Sequence, residues 1–189
     1  MIDIKEFAVG ALIGFSFGMI FWAVENIGHL IDFQSGLTFS QTVDPFAGNQ
    51  VSVHSRLILQ IFIMYFISIG GLHLFLEMMY ASYALWPILT YFPEPQPGWI
   101  NLFTTQTSML LSLTLLFAAP TVILLLVVEL GFGMLNRAAP NFNVFEVSRP
   151  VKAWLATFVL LITLPYILQR SGQIIAHYRE LMTMLGKVM

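Results

Sequence analysis

Long uninterrupted runs of apolar residues dominate the chain. Four can be marked, namely Phe7 to Val24, Leu57 to Leu76, Leu102 to Val128 and Ala153 to Leu168. Each is near or above the roughly 18 residues that indicate a bilayer-depth helix, the last only marginally. Because backbone N–H and C=O groups find no partners in hydrocarbon, such runs must be helical or form a closed barrel, and continuous rather than alternating runs favour helices. The pattern predicts an all-α membrane protein with about four long apolar helices.

Composition supports this prediction. Of the 189 residues, 58% are hydrophobic and 10% are charged, and the mean hydropathy is +0.81. Soluble domains carry about 25% charged residues, so water is not the main solvent of this chain. The net charge of -2 is thinly spread, without the basic patch that nucleic-acid binding requires. The absence of cysteine excludes disulfides and thiolate chemistry.

The apolar runs extend into longer predicted helices. We expect the first over about Glu6 to Asp32, the second from about Ser55 through Gly70-Gly71 to Trp86, and the third over about Leu102 to Asn136 with a bend at Pro120. In the first helix, glycines at four-residue spacing predict a face that a neighbouring helix can approach closely, at Gly10, Gly14 and Gly18.

The helices belong to one predicted domain, 1–189, divided by polar or proline-rich segments. These are a polar loop at 33–55, a proline-rich turn at 90–101, a basic loop at 137–152 and a C-terminal tail at 169–189. The polar loop is unusually long for so compact a chain, and long loops are more often functional than idle. Basic residues divide evenly between the two sides of a four-span arrangement, which favours some segments being re-entrant or packed as hairpins shielded by protein.

Ionisable residues cluster at two places near the ends of the apolar runs. Glu25, His29 and Asp32 share one face of the first helix, and His73 with Glu77 repeats the i, i+4 spacing on the second. Such groups at membrane depth could bind a metal or relay protons. Their position near helix ends favours a polar lining or helix capping instead. No nucleophile motif or phosphate-binding loop accompanies them, so we predict no enzyme, no cofactor and no metal site.

The stretch Leu135-Asn136-Arg137-Ala138-Ala139-Pro140-Asn141-Phe142-Asn143-Val144-Phe145, followed by Ser148-Arg149-Pro150-Val151-Lys152, carries a specific family motif. It closely resembles the T subunit of the type III secretion export apparatus, called SctT in injectisomes and FliR in flagella. Two features depart from the family pattern: Asn141-Phe142 stands where Gln-Leu is usual, and Arg149 replaces an apolar residue. Gly36, Asp44-Pro45 and Gly70-Gly71-Leu72-His73 also resemble family signposts. The motif is more similar to the injectisome branch than to the flagellar one.

The resemblance implies a subunit of the bacterial inner-membrane export gate, packed with R and S subunits around a protein-conducting pore. The U subunit, the large export-gate protein and secreted proteins in transit are further implied partners, and no nucleic acid is involved. The polar loop corresponds to the family's pore-occluding plug, which implies a plug role for Phe33, Gln34, Gly36, Thr38, Asp44, Pro45 and Gly48. Family members usually carry apolar helices before the segment equivalent to Phe7, so we expect this chain to be a truncated product or a shortened variant.

Two other hypotheses differ in their consequences. A small proton- or metal-coupled transporter would use Glu25, His29, His73 and Glu77 and would work without partner subunits. A scaffold subunit would only nucleate the assembly of its partners. Purification in mild detergent separates the transporter, which would come out alone, from the gate subunit and the scaffold.

Overall fold

The computed structural model describes residues 2–37, 52–85, 98–139 and 144–188. These residues form five helices and no strand: α1 (Ile2–Ser35), α2 (Val53–Ser68), α3 (Gly71–Leu85), α4 (Gly98–Ala138) and α5 (Val144–Val188). The predicted all-helical fold is confirmed. The first and third predicted helices correspond to α1 and α4, each a few residues longer at both ends.

The prediction of one continuous second helix is wrong, because the chain breaks between α2 and α3. The two helices are bent by 68° relative to each other. Gly70 has a φ of +78°, a left-handed conformation that glycine adopts without steric cost. A Cβ atom on Gly71 would lie only 2.4 Å from the ring of Phe66. The two glycines therefore have different roles: Gly70 turns the backbone, and Gly71 leaves room for the ring.

Three of the predicted loops and tails are partly helical. α4 already begins at Gly98, inside the expected proline-rich turn, and ends at Ala138. α5 begins at Val144, so the second half of the expected basic loop, including Pro150, is helix. α5 also contains Pro165 and continues through the expected tail to Val188. Membrane helices tolerate such prolines when neighbouring groups satisfy the freed backbone.

Contacts between side chains fix the direction of the first pair of helices. The rings of Phe21 in α1 and Phe62 in α2 lie 5.1 Å apart, and Gly28 of α1 lies against Ser55 at the start of α2. The later residue of α1 thus contacts the earlier residue of α2, so these helices are antiparallel. α4 runs parallel to α1, since Thr114 donates a hydrogen bond to the Ala23 carbonyl and a later residue of α1, Gln34, reaches α4 further on.

The last helix returns alongside α2. The rings of Phe117 in α4 and Tyr166 in α5 lie 5.7 Å apart. Further along α4, Glu129 lies beside Lys152, which comes earlier in α5, so the two helices are antiparallel. α5 and α2 are parallel, because His54 contacts Thr157 and Tyr65 lies against Gly172. α1 and α4 therefore run in one direction, and α2 and α5 run in the other.

Aromatic side chains fill the contact between α1, α2 and α3. Phe17 lies 5.1 Å from Phe75 of α3, and Phe21 lies 5.0 Å from Phe66 of α2, in edge-to-face arrangements. Such pairs add about 1 kcal/mol each beyond the burial of their area. Fully buried aliphatic residues surround the rings and connect them to α4 and α5, namely Ile27, Ile31, Ile58, Leu74, Leu125, Leu160 and Ile167. No described atom lies within 4 Å of a Cβ built on Gly10, Gly14 or Gly18, so the predicted small-residue face of α1 is open within this chain.

Among the residues that the structure describes, two helical stretches are long and apolar enough to cross a membrane, Thr107–Ala138 and Glu146–Ala176, with mean hydropathies of 2.6 and 1.9. The bent pair Val53–Ser68 and Gly71–Tyr83 makes a third if it counts as one span. The first predicted apolar stretch, Phe7 to Val24, includes residues whose side chains are outside the described ones. In the most apolar 18 residues of each of these two stretches, only 28% and 22% are buried within the chain. Their remaining apolar surface is available to lipid or to other subunits.

Candidate functional site

A buried polar network lies where the predicted polar loop meets the helices. Asp32, near the end of α1, is 1% exposed. Its Oδ2 atom accepts hydrogen bonds from the hydroxyl of Ser52 and from the backbone N–H of His54, the latter at 3.1 Å. Its Oδ1 atom lies in hydrogen-bond contact with Nδ1 of His54. We call Asp32, Ser52, His54 and Thr157 the Asp32 network.

Local geometry explains why the two helices meet at this point. Ser52 is the N-cap of α2, and its hydroxyl accepts a hydrogen bond from the N–H of Ser55 at 3.2 Å. The Asp32 carboxylate thus lies at the N-terminal end of α2, where the helix dipole favours a negative charge. One turn earlier in α1, a Cβ atom on Gly28 would lie 2.2 Å from the backbone of Ser55. Glycine at position 28 therefore permits the close approach that brings His54 to Asp32.

The imidazole of His54 joins this contact to α5. Its Nε2 atom lies 2.9 Å from the hydroxyl oxygen of Thr157, which itself lies 2.9 Å from the carbonyl oxygen of Ala153. An ionised Asp32 needs a proton on Nδ1, so Nδ1–H donates to the carboxylate. The Thr157 hydroxyl connects His54 to the backbone of α5.

A second polar contact lies next to the network. Gln34 donates a hydrogen bond to a carboxylate oxygen of Glu129 in α4 at 3.1 Å, and the same oxygen lies 3.9 Å from the ammonium of Lys152 in α5. Lys152 is buried and Glu129 is exposed. Glu129 thus pairs with a lysine of the family motif.

The described ends of the predicted plug differ in character. Phe33 is 66% exposed, whereas Ser35 is buried and donates a hydrogen bond to the carbonyl of Asp32 at 3.0 Å. Gly36 follows with a φ of +79°, so the chain leaves α1 through a glycine turn. Four of the predicted plug residues lie outside the described residues: Thr38, Asp44, Pro45 and Gly48.

The predicted polar lining is not brought together into one cluster. Glu25 and His29 are 3.7 Å apart on α1, with side chains 38% and 49% exposed. His73 and Glu77 are exposed on α3. In the part of the chain that the structure describes, no group of three or more His, Asp or Glu residues could hold a metal ion.

The family-motif residues are distributed over both sides of the α4–α5 connection. Asn136 and Arg137 are exposed at the end of α4, and Val144 is buried at the start of α5. Pro150 is exposed one turn and a half further on. Phe145 is helical, with its side chain outside the described ones, and Pro140 and Asn143 fall in the undescribed connection.

Sequence reasoning missed three members of the network, Ser52, His54 and Thr157. One signal was available, because a serine directly before an apolar periodic run is typical of a helix N-cap and would have placed Ser52 at the start of α2. Nothing in the sequence indicates that Thr157, about a hundred residues later, completes the contact.

Comparisons with known proteins agree with the motif. The chain matches the family described as "Bacterial export proteins, family 1" over residues 1–178. It is 34% identical over 158 residues to the Yop proteins translocation protein T of Yersinia pestis, which covers 84% of this chain and 60% of that protein. It is 32% identical over 171 residues to the secretion system apparatus protein SsaT of Salmonella typhimurium, covering 86% of this chain and 62% of that protein.

A flagellar relative is also similar. The flagellar biosynthetic protein FliR of Bacillus subtilis is 27% identical over 168 residues, which is 88% of this chain and 65% of that protein. The chain spans roughly 60% of the length of the relatives it matches. The higher identity to the two secretion-system proteins agrees with the predicted injectisome branch. The chain belongs to the bacterial export proteins, family 1, a family of inner-membrane proteins of the type III secretion and flagellar export apparatus.

Proposed function

We propose that the chain acts within a subunit of the inner-membrane export gate of a type III secretion system, where it helps to form the protein-conducting pore and its plug. Its partners are the R and S subunits, together with the U subunit and the large export-gate protein. Secreted proteins pass through in transit. The gate itself hydrolyses nothing, and energy comes from other parts of the apparatus.

The observation that carries the plug proposal is the anchoring of the polar segment between residues 37 and 52. Both of its ends leave from one buried network in which Asp32 accepts hydrogen bonds from Ser52 and His54. A long, mainly polar connector held at a fixed base can occupy a pore. An ordinary solvent loop has no need of a buried carboxylate at its base, since burial of a charge is costly unless it is paired.

The apolar outer faces support assembly with other membrane proteins. On α5, one stripe at four-residue spacing is largely exposed: Trp154, Phe158, Ile162 and Tyr166. On α4, Leu130 and Met134 are more than two thirds exposed. A helix in contact with lipid or with neighbouring subunits carries such residues, whereas a helix facing water does not.

Deletion of residues 38–48 in the complete protein, expressed in its host, tests the plug. We expect the inner membrane to become permeable to small solutes, measured as dye entry or as sensitivity to a solute that is normally excluded. Replacement of the same residues by a Gly-Ser sequence of equal length serves as the control for chain connectivity. Unchanged permeability in the deletion variant would contradict a plug in this segment.

Purification in mild detergent tests the partners. A gate subunit should elute together with other membrane proteins in a stable complex, identified by mass spectrometry. Elution of the complete protein alone, combined with transport of a small ion after reconstitution into liposomes, would contradict the gate proposal and support the transporter hypothesis.

A further inference from the structure

We propose that Asp32, His54 and Thr157 are positioning residues for the polar segment: they fix the separation of its two ends and couple that separation to α5. This inference rests on the proposed function, in which the segment works from a fixed base. It concerns only side chains of α1, α2 and α5 and the N-cap Ser52, all of which the structure describes.

Three hydrogen bonds of the Asp32 carboxylate point to the other end of the segment. Asp32 belongs to the near end, and its carboxylate receives the Ser52 hydroxyl, the His54 N–H and the His54 ring from the far end. Three separate donors from Ser52 and His54 converge on one carboxylate. The far end cannot move away from α1 without losing all of these bonds together, so the contact acts as a unit.

Burial makes that loss costly. Asp32 and His54 are 1% and 3% exposed, so water is not available to replace the lost partners. A buried carboxylate that loses three donors at once is strongly destabilised. The neighbouring charges are engaged elsewhere or exposed: Glu129 of α4 lies beside Lys152 of α5, and Arg56 of α2 is exposed. The network therefore holds one arrangement of the two ends.

Thr157 extends this constraint to a predicted membrane span. It lies within Glu146–Ala176, and its hydroxyl contacts Nε2 of His54 at 2.9 Å. The opposite ring nitrogen of His54 contacts Asp32. One imidazole thus bridges α1 and α5, and a displacement of α5 acts directly on the base of the polar segment.

Distance measurement between the two ends tests the proposal. The chain contains no cysteine, so Phe33→Cys and Val53→Cys introduce two unique spin-label sites. Both positions are well exposed, at 66% and 63%, and flank the network without belonging to it. In lipid vesicles we expect a narrow distance distribution for the labelled chain and a broad or longer one when Asp32→Asn is added.

Two matched variants separate positioning from general damage. Glu25→Gln removes another carboxylate of α1, one that also pairs with a histidine but is exposed, and should leave the distribution narrow. Thr157→Ser keeps the hydroxyl and should also leave it narrow, whereas Thr157→Val should broaden it. If the Asp32→Asn chain fails to accumulate in the membrane, the Thr157 pair decides alone. Equal distributions for Thr157→Val and Thr157→Ser, or an unchanged Asp32→Asn distribution, would overturn the proposal.

Permeability of the assembled gate distinguishes this inference from the proposed function. We expect Asp32→Asn to raise solute leakage about tenfold over Glu25→Gln, which corresponds to about 1.4 kcal/mol of lost coupling. Leakage in the deletion variant but not in Asp32→Asn would support the plug proposal and contradict the positioning role. Absence of leakage in the deletion variant would contradict the plug proposal. The distances between the spin labels would then test the positioning role by themselves.

Discussion

Helix α1 carries two acid–histidine contacts of very different kinds. Glu25 and His29 lie one turn apart on the same helix, 3.7 Å from each other, with both side chains more than a third exposed. Asp32 meets His54, which comes from another helix 22 residues later, and both side chains are buried. The same two chemical groups form a surface contact in one place and a junction between helices in the other.

The difference shows that sequence spacing finds the weaker contact. Residues at i and i+4 are neighbours on any helix, and such exposed pairs contribute little because water solvates each partner. A buried carboxylate must find all its partners within the protein, and these come from whichever helix packs against it. The contact that the helical pattern does not reveal is therefore the one that joins two helices.

Asp32→Asn should have the largest effect on the stability of the chain. The amide has an NH₂ group where the carboxylate accepted hydrogen bonds, so donors face donors at Ser52 or His54. We expect the free energy of unfolding to fall by about 3 kcal/mol, as for other broken buried pairs. Unfolding of the detergent-solubilised chain by increasing SDS measures it. A loss below about 1 kcal/mol would place Asp32 among the ordinary polar residues.

Gly28→Ala should have an intermediate effect, because it acts on the buried contact through helix packing. The added methyl group would overlap the backbone of Ser55 and push α2 away from α1 one turn before Asp32. Such overpacking costs about 2 kcal/mol. Gly14→Ala is the control, since no described atom lies within 4 Å of the new methyl group. Similar unfolding curves for Gly28→Ala and the unsubstituted chain would show that α2 can shift without loss.

Glu25→Gln should have the smallest effect and completes the comparison. The exposed i, i+4 pair contributes about 0.3 kcal/mol, and salt screens it further. We expect the unfolding curve to overlap that of the unsubstituted chain at physiological ionic strength. A shift as large as that of Asp32→Asn would mean that burial is not what separates the two contacts.

Much of the helical architecture could be predicted from the sequence. The apolar runs place the helices, because hydrocarbon leaves the backbone no alternative to internal hydrogen bonds. Their ends were less predictable. Position 150 was expected in a loop although it is helical, and Gly70 was expected inside a helix although its positive φ ends one. Proline and glycine report local backbone preferences, and the packing around them decides which preference prevails.

The candidate site could be predicted only in part. The family motif identified Lys152, and the long polar stretch after Asp32 indicated a functional segment. The pairing of Asp32 with His54 depends on the crossing of α1 and α2 at Gly28, and Thr157 enters from α5. Those contacts join positions 22 and 103 residues apart, so no local periodicity contains them.

The bend between α2 and α3 has a mechanical consequence. The ring of Phe66 occupies the space beside Gly71, and that ring also belongs to the aromatic group around Phe21. Straightening the elbow would require Phe66 to leave its neighbours, so the aromatic packing braces the angle between α2 and α3.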